Sequence, residues 1–500
     1  MNKKILSVLA ALSALSVAFA GCSAAGDGAH WPSEPDAPLY EDENHGDGNY
    51  VYDGFKEQDF SLVSEKPSSY FSLDRNTAGY SLMRSQINYG TKIMPDSVRI
   101  EELINYVDYS YPAPDGAAVN VSTYLSDCPW NDSSKLMLVG LKTTEMNLSG
   151  SNANYVFLID VSGSMSGDSR LELAKKGLNT LVDNLGENDL VSVVTYANGV
   201  KEVLNGEECS ENGKAIIKES ISSLVAGGGT NGGDGLERAY RIAAEHFITG
   251  GNNRVIIISD GDFNVGMSST EQLKEFIQTK AEHGVYLSVL GVGMYNMRDD
   301  VLQTLATCGN GNYAYLDNET EIRKVFTDEI NATLKTVAKD AKAGVTFTQS
   351  VEKYRLIGYD TKLISEDDFE NPDSDAGELG SNLCVSALYE IVPAENAEGK
   401  LADVTVKYKD VTGETQTDET ATAEVTLETP SSQDLSFISC VAEFGLVLRD
   451  SQYRGTAAIT AVLQRLDGLG AYTAADEYKN EFVGLVGKAS ESGFYGGGRQ

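Results

Sequence analysis

The chain has 500 residues, a length that usually corresponds to two or three domains. Its 39 Lys and Arg against 74 Asp and Glu give a formal net charge of −35, which argues against nucleic acid and anionic membrane surfaces as partners. Six cysteines without C-x-x-C spacing and four histidines without metalloprotease spacing argue against a zinc site or a disulfide framework. We expect the five cysteines after Cys22 to be mostly buried thiols, although export permits one or two bridges.

The first 22 residues have the pattern of a bacterial export signal. Two lysines precede an apolar core, and Ala18-Phe-Ala-Gly-Cys22 resembles the lipobox at which bacterial lipoproteins are cut and acylated on cysteine. We therefore expect lipidation at Cys22 and a location in the cell envelope; a plain secretory signal is the alternative. No later stretch reaches the ~18 apolar residues of a spanning helix. Residues 23–50, rich in Gly, Pro and acids, are predicted to be a flexible tether.

Residues 51–150 are predicted to form helices followed by strands. Thr77 is a candidate N-cap for a helix that runs to about Tyr89. The next helix is predicted to be amphipathic, with Glu101 and Glu102 on the face opposite its apolar residues. That apolar face carries Val98, Leu103, Ile104 and Val107. Residues 119–126 and 135–143 then have the patterns of strands.

Residues 151–336 alternate between apolar strands and amphipathic helices, which predicts an α/β, doubly wound parallel sheet of the Rossmann-like kind. A short antiparallel edge strand is expected near Lys201 to Leu204, and a closing helix from Glu319 to Leu334. One internal helix is expected to bury Leu236, Tyr240, Ala243 and Phe247. The predicted parallel strands are 155–160, 190–196, 254–259, 285–292 and 309–315.

Hydroxyl and carboxylate side chains follow two of these strands. Asp160 ends the first strand and is followed by Ser162 and Ser164, while Asp260 ends another strand. Thr230 stands in a glycine-rich loop between them. In an open α/β sheet such residues meet in the crevice at the carboxyl ends of the strands. An oxygen-only ligand set suits Mg²⁺ or Mn²⁺ rather than zinc. Taken alone, Asp-x-Ser-x-Ser is also an ordinary turn and capping pattern.

Asp160-x-Ser162-x-Ser164, Thr230 and Asp260 together resemble the metal-ion-dependent adhesion site of von Willebrand factor A (VWA) domains. The resemblance implies that the three hydroxyls coordinate the ion directly or through water and that the two Asp residues help to hold it. It also implies that the remaining coordination position receives an Asp or Glu carboxylate of a protein partner. Asp262 lies beside this motif and is not expected to be a ligand.

Residues 337–430 alternate as antiparallel strands. The strands before the VWA region lack a sheet of their own, so we predict that they pair with these and that the VWA domain is inserted in a β-sandwich-like region. The acidic turn from Asp367 to Glu378 is interpreted as a solvated loop, with a second cation site near Asp373–Asp375 as the open alternative.

Residues 431–492 are predicted to be helical, with a tail at 493–500. Val98-Arg-Ile-Glu-Glu-Leu-Ile-Asn-Tyr106, Asp127-Cys-Pro-Trp130 and Ala442-Glu-Phe-Gly-Leu-Val-Leu-Arg449 resemble YfbK-like bacterial VWA lipoproteins. This resemblance covers the chain from about Tyr70 to Ser490.

The expected function is therefore an envelope-anchored, non-enzymatic module that binds a protein partner through a Mg²⁺-bridged carboxylate, either for adhesion or for assembly of an envelope complex. A metal-independent scaffold is the alternative. Mg²⁺-dependent phosphoryl transfer is disfavoured, because Ser162 occupies the position where such an enzyme would need its general acid. No phosphate-binding loop or nucleophile elbow is present in the sequence either.

Overall fold

The computed structural model describes residues 56–73, 75–146, 152–167, 170–229, 233–261, 270–293, 299–329, 332, 335–413 and 415–492. The predicted signal segment with Cys22, the tether at 23–50 and the tail at 493–500 lie outside these ranges.

The segment before the central region contains short strands, two helices and two long strands. They are β1 (Ser61–Leu62), β2 (Ser68–Ser72), α1 (Ala78–Tyr89), α2 (Ile100–Ile104), β3 (Val119–Asp127) and β4 (Lys135–Thr143). Helix α1 begins after Thr77 as predicted, but the Thr77 side chain makes no capping hydrogen bond. The prediction of an outward acidic face on α2 is wrong, since Glu101 and Glu102 are only 7% and 2% exposed. The burial of the Glu102 carboxylate is compensated by a hydrogen bond from Gly79 N (2.6 Å) and an ion pair with Arg99.

The central region is a six-stranded sheet with helices on both faces. Its elements are β5 (Ala153–Asp160), α3 (Arg170–Asn184), β6 (Leu190–Tyr196), β7 (Val200–Glu208), α4 (Glu211–Ser222), α5 (Gly233–Glu245), β8 (Asn252–Ser259), α6 (Thr270–Glu282), β9 (Val285–Val292), α7 (Asp299–Cys308), β10 (Tyr313–Leu316) and α8 (Glu319–Arg323). The strand order is β10-β9-β8-β5-β6-β7, and only β7 is antiparallel to its neighbour, as predicted for the edge strand. Separate apolar clusters cover the two faces, which explains why the parallel strands are apolar throughout.

One detail of this region differs from the prediction, and another is described only in part. The predicted closing helix from Glu319 to Leu334 begins as α8 and passes into a π-helical turn at Lys324–Asp328, while residues 330, 331, 333 and 334 lie outside the described ranges. Phe247 lies beyond α5 and is 43% exposed, rather than buried with Leu236 and Tyr240.

The segment after the central region contains β11 (Thr336–Phe347), β12 (Val351–Ile357), α9 (Glu366–Glu370), β13 (Gly377–Gly380), β14 (Cys384–Pro393), β15 (Lys400–Asp410) and β16 (Thr417–Thr426). One sheet has the order β1-β12-β14-β4-β3, and the other has β13-β11-β15-β16 with β2 also paired to β11. Strands from both sides of the VWA region thus pair directly, as in β4 with β14. Side chains of the two sheets share one core, so the VWA region is inserted in a β-sandwich.

The helices at the two ends of the chain share another core. The last helices are α10 (Gln433–Leu448), α11 (Ile459–Gly468), α12 (Gly470–Ala474) and α13 (Glu477–Ser492). Their apolar residues cluster with those of α1 and α2, including Tyr80, Leu103, Phe444 and Phe482. The two predicted helical segments therefore form a single layer.

The five cysteines after Cys22 are free thiols in the described part of the chain. Cys128, Cys209, Cys384 and Cys440 are buried and Cys308 is half-buried, with no disulfide within the described ranges. Burial raises the pKa of the Cys128 and Cys209 thiols to about 12, so these thiols are unreactive at neutral pH.

Candidate metal site at the carboxyl end of the central sheet

Asp160 lies at the carboxyl end of β5, in the middle of the central sheet. Its Oδ1 accepts a hydrogen bond from Ser162 N (2.8 Å), and its Oδ2 accepts one from Ser259 Oγ (3.3 Å). No Lys, Arg or His side chain of the described residues pairs with it. Burial, together with the charge of Asp260, raises the pKa of Asp160 to about 6, although bonds from Ser162 oppose the shift. The structure therefore contains a buried carboxylate that lacks a cationic neighbour among the described side chains.

Ser162 and Ser164 converge directly after this strand. Ser162 has extended backbone, and residues Gly163–Ser166 then form a turn of 3₁₀-helix. The side chain of Met165 is fully buried and anchors this turn on the domain core. The Ser162 and Ser164 Oγ atoms consequently lie 2.9 Å apart. Two hydroxyl oxygens at this spacing, beside a carboxylate, form an oxygen-lined corner.

The glycine-rich loop lies along the same turn. Gly227 N donates to Val161 O (2.8 Å), and Gly163 N donates to Gly228 O (3.0 Å). Gly228 has φ of +96°, and a Cβ there would lie 2.7 Å from Asn198 Nδ2, so the close approach requires glycine. Thr230 itself lies outside the described residues, as does Asp262.

Asp260 follows β8, the strand adjacent to β5 in parallel register. It is 3% exposed and pairs with Arg170, whose Nη1 lies 2.8 Å from Asp260 Oδ2. The same nitrogen donates to Ser164 O at 3.2 Å. Arg170 was not among the residues predicted for the site. Its position in the sequence could have indicated a role, because Arg170 begins α3 and a cation at the start of a helix interacts unfavourably with the helix dipole. A nearby acid is expected to compensate such a charge.

The structure thus brings Asp160, Ser162 and Ser164 together and places Asp260 on the neighbouring strand end. Within the described ranges there is no cluster of three or more His, Cys, Asp or Glu side chains with metal-binding geometry. The predicted ligand set differs from such a cluster because hydroxyls supply most of it. Its donors fit a hard divalent cation, since they are all oxygens and include an uncompensated buried carboxylate.

The proposed second cation site near Asp373–Asp375 gains no support from the geometry. Asp375 Oδ1 accepts a hydrogen bond from Asn310 Nδ2 (3.3 Å), and Asp373 N donates to Asn371 Oδ1 (3.0 Å). The start of the acidic turn is α9, whose Ser365 forms a reciprocal capping box with Asp368. Local hydrogen bonds thus account for this turn.

Comparison with known families assigns all three regions. The model for the von Willebrand factor type A domain matches residues 154–328, a von Willebrand factor model matches 47–138, and the model "Uncharacterized protein YfbK, C-terminal" matches 332–491. A relative from Escherichia coli, uncharacterized protein YfbK, is 33% identical over 476 residues, which cover 88% of this chain and 81% of the relative.

More distant matches cover smaller parts or share less sequence. The uncharacterized protein sll0103 of Synechocystis sp. is 30% identical over 176 residues, 35% of this chain and 40% of that protein. A solved structure, von Willebrand factor type A from Catenulispora acidiphila, is 18% identical, covers 74% of this chain and 89% of its own, and has a TM-score of 0.45. The near full-length match and the family models together show that this chain belongs to the YfbK family of VWA-domain proteins.

Proposed function

We propose that this protein binds a protein partner through a divalent metal ion, Mg²⁺ or Mn²⁺, at the carboxyl end of the central sheet. The observation that carries the proposal is the convergence of the Ser162 and Ser164 hydroxyls, 2.9 Å apart, beside the buried Asp160 carboxylate. In the proposed site these three residues hold the ion, and Thr230 and Asp260 complete the set.

The chemistry of the ligands indicates the class of partner. Hydroxyl oxygens are neutral, so an ion held largely by them keeps much of its charge and attracts one more anionic oxygen when bound. An Asp or Glu carboxylate of another protein supplies such an oxygen. Ser164 is exposed whereas Asp160 and Ser162 are buried, so the corner opens towards solvent on the Ser164 side.

We place the protein in the cell envelope, anchored by a lipid on Cys22, on the strength of the lipobox-like sequence. Within the described part of the chain, no helix is long and apolar enough to cross a membrane.

The proposed role is binding rather than catalysis. Ser162 occupies the position two residues after Asp160, and a serine hydroxyl is too weak an acid to serve as a general acid near neutral pH. The two histidines in the described ranges lie in the turns that follow α5 and α6. His246 is bonded to Asn205 and His283 to the carbonyl of Thr279. Phosphate release by the wild-type protein above that of Ser162→Ala would contradict this part of the proposal.

A metal-independent scaffold is the second candidate, and one contact favours it. Asp260 already has a cationic partner in Arg170, so the end of β8 is electrostatically satisfied without any ion. A scaffold would bind its partners equally well with or without chelator.

A pull-down from envelope extract of the producing cell separates the two functions. The bait is the purified protein in Mg²⁺ or in EDTA, compared with Asp160→Ala after circular dichroism has shown that both fold. We expect a partner that is retained only by the wild type in Mg²⁺. Partners retained equally under all conditions would reject metal bridging and support the scaffold.

A further inference from the structure

Arg170 joins three strand ends around the candidate metal site. Its Nη1 lies 2.8 Å from Asp260 Oδ2, at the end of β8, and 3.2 Å from Ser164 O, in the turn after β5. Its side chain also passes Gly293, the residue after β9, where an added Cβ would lie 2.3 Å from Arg170 Nε. The guanidinium thus lies among the turn after β5, the end of β8 and the residue after β9, and the first two of these segments carry predicted ligands.

The ion pair between Arg170 and Asp260 is buried and is not a surface ion pair. The side chains of Arg170 and Asp260 are 10% and 3% exposed. Gly293 has φ of +91°, a conformation that favours glycine, so backbone and sequence both leave room for the guanidinium. Charges in such a setting are screened far less than at the surface.

We propose that Arg170 is a resident counter-charge that weakens the site's hold on its own metal ion and strengthens the ion's hold on a partner carboxylate. The inference rests on the proposed metal site. Two carboxylates, Asp160 and Asp260, would cancel the charge of a divalent cation, whereas the added guanidinium leaves one positive charge uncancelled. Because Arg is always protonated, this surplus is permanent. It repels the cation and attracts the anionic oxygen of the partner.

The competing interpretation is that Arg170 is only a structural cross-link between Ser164 O and Asp260. The two roles predict different results when the charge is removed. A cross-link predicts lower stability and weaker metal binding, because the segments that carry Ser164 and Asp260 are no longer held together by Arg170. A counter-charge predicts tighter metal binding and weaker carboxylate capture, which are shifts of opposite sign.

The test uses Mn²⁺ and acetate as probes. Free Mn²⁺, measured by its electron paramagnetic resonance signal, gives the dissociation constant, and Asp160→Asn supplies the background from the acidic surface. Acetate is then titrated onto the Mn²⁺-loaded protein. A fall in the relaxation rate of the water protons reports that acetate has replaced water bound to Mn²⁺. We expect Arg170→Gln to bind Mn²⁺ about tenfold more tightly and to need several-fold more acetate. Arg170→Lys, which keeps the charge, should stay near the wild type.

Gly293→Ala gives an independent route, because its Cβ would displace the guanidinium from Asp260 without removing any charge from the chain. We expect it to shift both constants in the direction of Arg170→Gln, and it carries the test if Arg170→Gln does not fold. Unchanged or weaker Mn²⁺ binding in the neutral variant, with wild-type binding intact, would overturn the counter-charge role alone. Absence of site-specific Mn²⁺ binding in the wild type would overturn the proposed function as well.

Discussion

Two buried groups of charges in this molecule differ in whether nearby side chains supply the opposite charge. In the helical layer, Arg84 of α1 is surrounded by three carboxylates: Asp317, Glu321 of α8 and Glu481 of α13. At the end of β5, Asp160 has hydroxyl and amide neighbours and no cationic partner among the described side chains. A buried charge that is paired internally holds elements together, whereas a buried carboxylate without a counter-ion either takes up a proton or binds a cation from outside. The first group is therefore structural and the second is the candidate binding site.

The Arg84 group links segments that are far apart in the sequence. Arg84 Nε and Nη2 contact Asp317, Nη2 lies 2.6 Å from Glu321 Oε2, and Nη1 lies 3.0 Å from Glu481 Oε2. Tyr106 OH also donates to Glu321 Oε2 at 2.7 Å. This group fixes the last helix of the VWA region against both terminal helical segments, which no pattern in the sequence indicated.

The largest predicted effect comes from breaking this internal pairing. Arg84→Met leaves Asp317 and Glu321 buried without their cation, and we expect it to lower the free energy of unfolding by about 3–5 kcal/mol. Urea unfolding followed by circular dichroism measures the change. Arg323→Met is the matched control, because Arg323, at the end of α8, likewise pairs with an acid of α13, Glu477, but is 48% exposed. Its effect should stay below about 1 kcal/mol, and equal losses in both variants would contradict the contrast.

Glu101 extends the comparison, because it is a buried acid that takes up a proton instead of pairing with a cation. It is 7% exposed and its Oε2 has no hydrogen-bond partner among the described residues. Burial, with the charges of Glu102 and Asp360, raises the pKa of Glu101 from 4.5 to about 7. In the folded protein this side chain is therefore neutral at mildly acidic pH, which avoids the need for a counter-ion.

This shift predicts how stability changes with pH. A raised carboxyl pKa means that the folded state binds the proton more tightly, so the contribution of Glu101 is most favourable below pH 4.5 and is lost as pH rises to 7. Relative to the wild type, Glu101→Gln should therefore gain about 2 kcal/mol of stability between pH 5 and pH 7. Urea midpoints at several pH values measure this, with Glu65→Gln on an exposed turn as the control. A constant difference across that range would refute the assignment.

The smallest predicted effect concerns single hydroxyls of the open site. Ser164→Ala removes an oxygen from the converging pair, and we expect Mn²⁺ to bind about tenfold more weakly, roughly 1.4 kcal/mol. Ser166→Ala is the matched control, because its Oγ donates to Gly163 O (2.7 Å) in the same turn and it is not a predicted ligand. Isothermal titration calorimetry with Mn²⁺ gives the dissociation constants of both variants and of the wild type. Equal weakening would show that the turn, rather than the Ser164 hydroxyl, is what matters.

The sequence by itself determined features whose causes are local or strongly periodic. The five residues from Asp160 to Ser164 specify a turn after a buried strand, and the structure brings their oxygens together as the spacing predicted. Unbroken apolar runs indicated the central parallel strands. The pairing of β4 with β14 across the inserted domain could also be inferred, since strands without neighbours need partners.

Only the tertiary structure decided which charges are buried and which residues neutralise them. Glu101 and Glu102 occupy positions typical of a solvent-facing helical side, yet Gly358, after β12, packs against Glu101 and Gly79 of α1 packs against Glu102. Arg84 and Asp317 are 233 residues apart and Arg170 and Asp260 are 90 apart, so no local spacing relates them. Helical periodicity shows which residues of one element share a face, whereas burial and ion pairing depend on what the rest of the chain places against that face.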